Sequence, residues 1–529
     1  MKSRALSLLA ITLLATPFAA SADVSLPTLF SDDMVLQQKT ACPIWGSADP
    51  GERITVKLGG KTSASTTAGE DGKWMLKLDT SKVSGPLEMT VSGSNTITIQ
   101  NVAIGEVWVC AGQSNMEFRL PRAKDAEQEI AAANFPKIRM FTVARKVSDA
   151  PARDIAGKWL VCDTQAVRDF SAVGYFFARE LHEKLKAPVG IIHASWGGTV
   201  VEAWMPAAAF ESEPELKSIP EKWRANLEEY PSAKAAYDQQ LAAWNAEAER
   251  AKSAGQPVPQ HRPREPRGPG DSETPSGLFN GMIAPLIPYS IRGVAWYQGE
   301  SNTGKPKLYR KLFPAMIAEW RKTWGEGDFP FLFVQLPNFN PRHADPAESN
   351  WAELREAQAT ALKMPKTGMA VAIDLGDEHD IHPKNKQDVG HRLALVAETL
   401  VYGKKDVVSS GPVFSGMKIE GNKVKLSFKQ VNGGLVDKDG PPLKGFQIAG
   451  ANRGFVWADA KIEGDKVVVQ SEKVPSPAAV RYAWADSPDC DLVNKAGLPA
   501  VPFRTDDWDA PQAAAAASPS PAPSASPAP

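Results

Sequence analysis

The chain has 529 residues, which is too long for a single hydrophobic core and predicts about two to four domains. Its 60 basic and 61 acidic residues nearly cancel and form no long run of either sign. That balance argues against a nucleic-acid partner or an anionic membrane surface and favours a neutral or small-molecule partner.

The first 22 residues have the three parts of a secretory signal. Lys2 and Arg4 precede an apolar run over residues 6–15, and the small residues at 20–22 form a cleavage site. We expect cleavage before Asp23 and a periplasmic or secreted protein. The apolar run is too short to span a bilayer, and no later run of about 18 apolar residues follows, so we expect no membrane insertion.

Residues 23–101 predict a small N-terminal β-sandwich domain. Short runs of alternating apolar and polar side chains are separated by turn residues, as at Ile54, Val56 and Leu58. Because no helical period persists through this region, the runs are typical of antiparallel strands.

The sequence pattern of residues 102–406 predicts an α/β domain with a mainly parallel sheet. Apolar strands such as PVGIIHAS, IRGVAWY, FPFLFVQL and TGMAVAID alternate with helical sequence near 124–134, 171–186 and 386–403. In such a sheet the reactive groups lie at the carboxyl ends of the strands. Residues 211–276 interrupt the pattern, and we interpret them as an inserted helical hairpin with a proline-rich return loop, either a lid or arm or a decoration.

Alternation returns over residues 407–508 and predicts a second, C-terminal β-sandwich. The last residues, 509–529, form a Pro/Ala/Ser tail with too little apolar bulk to fold, so we expect disorder. Four cysteines permit up to two disulfides in an oxidising compartment. Cys110 is either a buried apolar residue or a partner of Cys162.

Ser114 is the candidate nucleophile. It stands where the apolar strand of GEVWVCAGQSNME, residues 105–117, ends in small and polar residues. Met116 occupies the place of the second glycine in a G-x-S-x-G elbow, so the usual α/β-hydrolase turn fits poorly. We predict that Ser114 attacks an ester; the alternative is a strand followed by an ordinary polar turn.

His382 is the candidate general base. The sequence shows no metal-ligand spacing and has only seven histidines, so hydrolysis would depend on side chains alone. His382 follows the strand VAID in the loop DLGDEHDIHPKNK, at the sheet edge expected for Ser114. Asp380 is the predicted orienting carboxylate, with Asp377 and Glu300 as alternatives. The segment is equally compatible with an acidic turn that caps the next helix.

Hydrolysis through a tetrahedral intermediate also needs donors for its oxyanion. Paired glycines at 197 and 198 follow one strand, and Asn302 follows another within GESN. We predict an N–H of this glycine pair, the Asn302 side-chain amide and the Ser114 N–H as donors. Taken singly, the glycines and the asparagine are also ordinary turn formers.

Four ordered segments, GQSNME, SWGGT with EAWMP, WYQGESN and DIHPKNKQ, resemble the blocks of SGNH-type hydrolases and, more narrowly, the sialic-acid-specific O-acetylesterase family. The likeness covers roughly Leu26 to Trp508. It implies a three-layer α/β/α hydrolase domain flanked by β-sandwiches. It also implies a serine nucleophile at Ser114, a base at His382 and oxyanion donors at Gly198 and Asn302. The wider SGNH pattern has aspartate three residues before the histidine, where this chain has His379, so the orienting carboxylate stays open.

The resemblance further implies a carbohydrate O-acetylesterase that needs no cofactor and takes an O-acetylated saccharide, either sialic acid or a plant glycan such as xylan or xyloglucan. Side chains in or beside the blocks are expected to contact the sugar; they are Gln113, Trp204, Gln298 and Glu300 for polar or stacking contacts, and Trp196, Trp296 and Tyr297 for stacking. Arg119, Arg122 and Arg342 lie near blocks or strand ends and are candidates for a sialate carboxylate. The alternatives are an SGNH lipase or thioesterase and a noncatalytic glycan-binding protein.

Overall fold

The computed structural model describes residues 23–508, so the expected signal peptide at 1–22 and the expected tail at 509–529 lie outside the described residues. None of the helices within this range is both long and apolar enough to cross a bilayer.

The N-terminal part is built from strands, as the alternating sequence predicts. They are β1 (Val35–Gln37), β2 (Ala41–Ser47), β3 (Arg53–Leu58), β4 (Thr62–Thr67), β5 (Lys73–Asp79), β6 (Leu87–Ser92) and β7 (Thr96–Gly112). Strands β2 and β5 pair with each other, and β3 pairs antiparallel with β4 and β6. In β5 every second residue is buried, including Trp74, which places this indole in the core.

A seven-strand path forms the centre of the molecule. After β7 the chain adds β8 (Phe135–Thr142), β9 (Trp159–Cys162), β10 (Val189–Ser195), β11 (Gly293–Tyr297), β12 (Phe331–Gln335) and β13 (Thr367–Val371). The order is β13-β12-β11-β7-β10-β8-β9, and every neighbouring pair is parallel except the edge pair β8 and β9. This confirms the predicted α/β class with a mainly parallel sheet.

Seven α-helices accompany these strands within residues 23–508: α1 (Ser114–Glu117), α2 (Ala126–Ala131), α3 (Ala172–Leu185), α4 (Pro214–Ser253), α5 (Pro306–Trp324), α6 (Asn350–Ala359) and α7 (Lys386–Leu400). Ser171 caps α3, because its hydroxyl accepts the Gly174 N–H. Helix α3 packs against α7 and buries both phenylalanines at 176 and 177.

Strand β7 links the N-terminal sheets to the central sheet. It alternates in burial up to position 101 and is buried without interruption from Val102 to Gly112. Its first half pairs with β6, and its second half lies between β10 and β11. Continuous burial is what a strand covered on both faces requires. The predicted domain boundary between residues 101 and 102 therefore falls inside a single strand.

The predicted helical hairpin is wrong, because residues 214–253 form one helix. Proline lacks an N–H donor and crowds the preceding turn, so Pro231 by itself favours a break in the helix. Strong helix formers on both sides of Pro231 outweigh that cost in α4. Only Leu216 and Ala248 of this helix are buried, so most of it projects from the body of the protein.

The C-terminal region contains additional sheets formed by β14 (Val413–Glu420), β15 (Lys423–Lys429), β16 (Leu435–Asp437), β17 (Phe446–Ala449), β18 (Phe455–Trp457), β19 (Asp459–Glu463), β20 (Lys466–Gln470), β21 (Ala479–Tyr482), β22 (Leu492–Asn494) and β23 (Phe503–Arg504). Two four-stranded sheets have the orders β14-β15-β20-β19 and β18-β17-β21-β23.

The Cys110–Cys162 pairing is excluded by the sheet order. Cys110 lies in β7 and Cys162 in β9, with two strands between them. At about 4.8 Å per strand their Cα atoms lie about 14 Å apart, twice what a disulfide spans. Both thiols are free and buried, which agrees with the alternative reading of Cys110 as a buried apolar residue.

Gly112 is expected to tolerate no side chain. Its φ is +143°, and an added Cβ would lie 2.1 Å from the Tyr297 carbonyl oxygen, a backbone atom within the sheet. We expect Gly112→Ala to lower the free energy of unfolding by about 3 kcal/mol, measured by urea denaturation. Gly304→Ala, where an added Cβ meets nothing within 4 Å, is the matched control. Equal stability of the two variants would contradict this role for Gly112.

Candidate active site

Ser114 lies at the carboxyl end of β7, as the first residue of the single-turn helix α1. The turn that leads to it is fixed by Gln113, whose N–H donates to the Tyr297 carbonyl at 3.0 Å and whose carbonyl accepts the Met116 N–H at 2.9 Å. The Ser114 side chain is partly exposed. Its hydroxyl is therefore presented at the strand ends where open α/β sheets bind their ligands.

The His382 ring lies against Ser114. Its Nε2 is 2.9 Å from the Ser114 Oγ, although the two residues are 268 positions apart in the chain. The imidazole stacks on the Phe118 ring with centroids 6.3 Å apart, and the His382 side chain is only 15% exposed. This separation allows direct proton transfer between the hydroxyl and the ring.

The surroundings of His382 favour its neutral form. Burial lowers the pKa of the imidazole below its ordinary 6.5, and the positive charges of Lys386 and Arg122 lower it further, while Asp380 acts in the opposite direction. A neutral imidazole is the form that accepts a proton. The ring is thus able to act as a base at pH values below its ordinary pKa.

Asp380 lies beside His382 without a hydrogen bond to its ring. The Asp380 Oδ1 is 3.6 Å from Nδ1 and instead accepts the His382 backbone N–H at 2.9 Å. The alternatives are engaged elsewhere, because Asp377 accepts the His379 N–H and Glu300 accepts the Asn115 side-chain amide at 2.6 Å. Among the predicted carboxylates, Asp380 is the one that the structure brings to the imidazole.

Asn302 is buried on the loop after β11, and one hydrogen of its amide has no acceptor among residues 23–508. Its Nδ2 donates to the Glu202 Oε2 at 2.8 Å, while its Oδ1 accepts the Val201 N–H and the Gln298 side chain. Because an NH₂ group has two hydrogens, one remains available to an oxyanion. Glu202 fixes which way the amide faces.

The glycine turn after β10 lies next to Ser114. A Cβ added at Gly197 would lie 3.2 Å from the Ser114 Cβ. The Gly197 N–H is occupied by the Glu117 carboxylate at 2.7 Å, whereas within residues 23–508 the Gly198 N–H has no acceptor. Gly198 has a φ of +79°, which favours glycine, and the Ser114 N–H at the start of α1 is likewise without a partner inside its helix.

Three of the four aromatic side chains predicted to contact substrate are buried beneath the site. Trp204 is fully buried, donates through Nε1 to the Thr199 hydroxyl and packs edge-on against Trp296, so its predicted contact with the sugar is wrong. The stacking predicted for Trp296 and Tyr297 is wrong for the same reason, since both are fully buried. Trp196 alone among these four aromatic residues is partly exposed.

The polar residues of that set also lie below the surface. Gln113 accepts the Gly299 and Ser301 N–H groups through Oε1, which ties the nucleophile turn to the loop after β11. Gln298 is fully buried and bonded to Asn302, and Glu300 is buried as well. The predicted direct contact with substrate is therefore wrong for Gln113, Gln298 and Glu300, which support the site from below its surface.

Three arginines were predicted as partners for a sialate carboxylate, and only one of them lies near the Ser114–His382 pair. Arg119 pairs with Asp169 at 3.0 Å, and Arg342 lies 3.6 Å from Asp489 in a cleft against the C-terminal sheets. Arg122 is exposed and lies over the Phe118 ring, 4.9 Å from its centroid. Phe118 in turn stacks on His382, so Arg122 is the arginine of the three that lies near the Ser114–His382 pair.

Sequence reasoning did not assign four residues that hold the site together: Asn115, Glu117, Glu202 and Lys386. All four lie within the conspicuous segments GQSNME, EAWMP and DIHPKNKQ. A charged or amide side chain inside such a segment, about one turn or less from a candidate catalytic residue, was the available signal. Their roles required knowledge of which loops pack together.

Comparisons with known proteins show which family this chain resembles. A family model described as carbohydrate esterase, sialic acid-specific acetylesterase, matches residues 104–236 and 278–398, which include Ser114, Gly198, Asn302 and His382. The unmatched stretch between these ranges lies within α4 and the return loop.

Whole-chain relatives are similar over most of their length. The rat sialate O-acetylesterase is 30% identical over 533 residues, covering 89% of this chain and 92% of the relative, and the human sialate O-acetylesterase is 29% identical with 89% and 91% covered. A crystal structure of a carbohydrate acetylesterase from Xanthomonas citri is 37% identical with a TM-score of 0.78, covering 92% of this chain and all of that one.

Proposed function

The chain belongs to the sialic acid-specific acetylesterase family of carbohydrate esterases, and from that premise we propose that it deacetylates sugars through a covalent acetyl-Ser114 intermediate. The observation that supports this mechanism is the 2.9 Å contact between the Ser114 hydroxyl and the His382 Nε2. A hydroxyl needs such a base to become an effective nucleophile at neutral pH.

The proposed reaction has two proton-balanced halves. The Ser114 Oγ bonds to the acetyl carbonyl carbon as His382 takes its proton, and the imidazolium returns that proton to the sugar oxygen as the ester bond breaks. Water then adds to the acetyl-enzyme with His382 again as the base, and acetate leaves as Ser114 regains its proton. The N–H groups of Ser114 and Gly198 and the Asn302 amide would stabilise the oxyanion.

The proposed substrate is an O-acetylated saccharide, either sialic acid or a plant glycan. The relatives include sialate O-acetylesterases and a carbohydrate acetylesterase, and Trp196 offers a partly exposed aromatic face near the glycine turn. Acetate release should be measured side by side on acetylated sialic acid, xylan and xyloglucan, with Ser114→Ala as the blank. Faster turnover of p-nitrophenyl octanoate than acetate would favour a lipase, and no turnover at all would favour a noncatalytic glycan-binding protein.

The finer architecture is also proposed. We interpret residues 102–406 as an SGNH-type three-layer domain between β-sandwiches at 23–101 and 407–508, with export directed by residues 1–22. The parallel sheet with flanking helices supports the first part, and the charged, apolar and small-residue segments support the second. N-terminal sequencing of protein recovered from the cell envelope or medium should begin at Asp23; an intact Met1 would refute export by cleavage.

Asp380 is expected to be dispensable for most of the rate. Its carboxylate is half exposed and lies 3.6 Å from the ring, and an asparagine there can still accept the His382 backbone N–H. We expect Asp380→Asn to lower kcat by less than about 10-fold, against about 10⁴-fold where a buried carboxylate holds the ring. Asp380 raises the pKa of His382, so removing its charge should lower that pKa. The acid limb of the kcat/KM profile, where activity falls as the pH is lowered, should therefore move to lower pH.

Asp377→Asn in the same loop is the control for this change, since within the described part of the chain the Asp377 carboxylate accepts only the His379 N–H. A loss of about 10³-fold or more in Asp380→Asn alone would show that the carboxylate closes onto the ring in the complex and is essential.

A further inference from the structure

Lys386 is a lysine without contact with water. It is the first residue of α7, four positions after His382, and its side chain is fully buried. Its ammonium donates to the Asn115 Oδ1 at 2.5 Å and lies 4.7 Å from the centre of the Phe118 ring and 5.4 Å from that of Tyr297. Lysine is almost never fully buried unless it is paired, so this position requires an explanation.

Asn115 connects that lysine to three loops of the site. Its Nδ2 donates to the Glu300 Oε1 at 2.6 Å and to the Ile381 carbonyl at 3.0 Å. With Lys386 on its oxygen, every polar atom of this side chain is bonded. Asn115 directly follows Ser114, and Ile381 directly precedes His382, so one amide holds the nucleophile turn against the loop of the base.

The hydrogen bonds of Asn115 form a bridge from Lys386 to Glu300, and the opposite charges of these two side chains compensate each other. Lys386 and Glu300 face opposite ends of the Asn115 amide, and the Glu300 Oε2 has no hydrogen-bond partner within residues 23–508. A buried carboxylate with an unbonded oxygen is costly unless a cation lies near. Glu300 also precedes Asn302 by two residues, so the bridge reaches the loop of the predicted oxyanion donor.

We propose that Lys386 is a positioning residue that, through Asn115, holds Ser114 against His382 and, by its charge, extends activity to lower pH. This inference rests on the proposed serine mechanism. The imidazole is faced by Lys386 and Arg122 as cations and by Asp380 as an anion. Among these groups Lys386 is the one without access to solvent, so its charge is the least screened.

The protonation of Lys386 is consistent with this role. Burial lowers the pKa of Lys386 to about 7 while Glu300 opposes the shift, and burial raises the pKa of Glu300. Lys386 therefore carries its charge below about pH 7, where His382 would otherwise take up a proton. The repulsion lowers the pKa of His382 and keeps the base available.

The test is the pH dependence of kcat/KM in Lys386→Met. We expect the acid limb to move to higher pH, because the imidazolium loses a repelling charge, and kcat to fall by about 10- to 100-fold as the turn loosens. Lys384→Met is the matched control, since Lys384 is exposed in the same loop, and it should change neither quantity. An acid limb at the wild-type pH in Lys386→Met would overturn the inference, because a purely structural lysine would lower kcat alone.

A second variant guards against misfolding. Lys386→Met leaves Glu300 as an unpaired buried charge, whereas Lys386→Met with Glu300→Gln removes both charges, a change that is often neutral for stability. The double variant should keep the shifted acid limb, and a limb restored to the wild-type pH would overturn the inference. Failure of the serine mechanism itself would appear separately, as full activity in Ser114→Ala.

Discussion

Ser114→Ala is expected to lower kcat for acetyl ester hydrolysis by about 10⁵- to 10⁶-fold, because the reaction loses both its nucleophile and its covalent intermediate. The fold should survive, since the lost hydroxyl bonds to His382 alone among the described residues. We expect the free energy of unfolding to change by less than about 1 kcal/mol. Steady-state rates with p-nitrophenyl acetate, together with urea denaturation, measure both quantities.

A second serine–histidine pair in the same sheet provides a stringent control. The Ser195 Oγ lies 2.6 Å from the His193 Nε2 at the end of β10, but both side chains are buried and cannot meet a substrate. Burial lowers the pKa of His193 to about 4, which fits a neutral core imidazole. Ser195→Ala should therefore keep activity within a few-fold of wild type. Loss of activity in Ser195→Ala, together with retained activity in Ser114→Ala, would show that the nucleophile is Ser195 and not Ser114.

Much of the architecture was predictable because it depends on local patterns. Alternation marked the N-terminal and C-terminal strands, and continuous apolar runs that ended in small or polar residues marked the parallel strands and their carboxyl ends. Ser114 and His382 both follow such strand ends. Parallel strands bring these ends to one edge of a sheet, so candidate residues far apart in sequence could be placed together.

What escaped prediction depends on contacts between distant segments. Trp204 was expected at the surface because it lies in a motif, yet it is enclosed by Thr199, Trp296 and Trp320, which come from other elements. Lys386 was missed for the opposite reason: a lysine in a polar segment is normally solvated, and this one is enclosed because the rings of Phe118 and Tyr297 pack around its ammonium. Local periods encode the burial of apolar residues in strands, whereas the burial of a loop tryptophan or a lysine depends on the assembled fold.

The orienting carboxylate shows a finer limit. The candidates were Asp380 and Asp377 in the loop after β13 and Glu300 in the loop after β11, and the choice depended on which carboxylate faces the ring. The structure places Asp380 next to the imidazole but commits its Oδ1 to a backbone N–H. Sequence could restrict the candidates to two loops at the strand ends, while the direction of each side chain required the backbone conformation of those loops.

His382→Ala is expected to match Ser114→Ala in its effect, with a loss of about 10⁵- to 10⁶-fold in kcat, because groups that act as a unit fail together. It should also remove the acid limb of kcat/KM. In wild type, burial and the Lys386 charge hold the pKa of His382 below 6.5, so activity should persist below that pH and fall as the pH drops through the lowered pKa. Measurements of kcat/KM from about pH 4 to about pH 8 would define this acid limb.

His379→Ala separates this role from a general effect on the loop. His379 lies three residues before His382, at the position where the wider SGNH pattern has an aspartate, and its side chain is 79% exposed. We expect this variant to keep both the rate and the acid limb. An unchanged acid limb in His382→Ala, with the rate retained, would assign proton transfer to another group. Loss of the limb in both variants would instead show that the loop's conformation, rather than one imidazole, controls the titration.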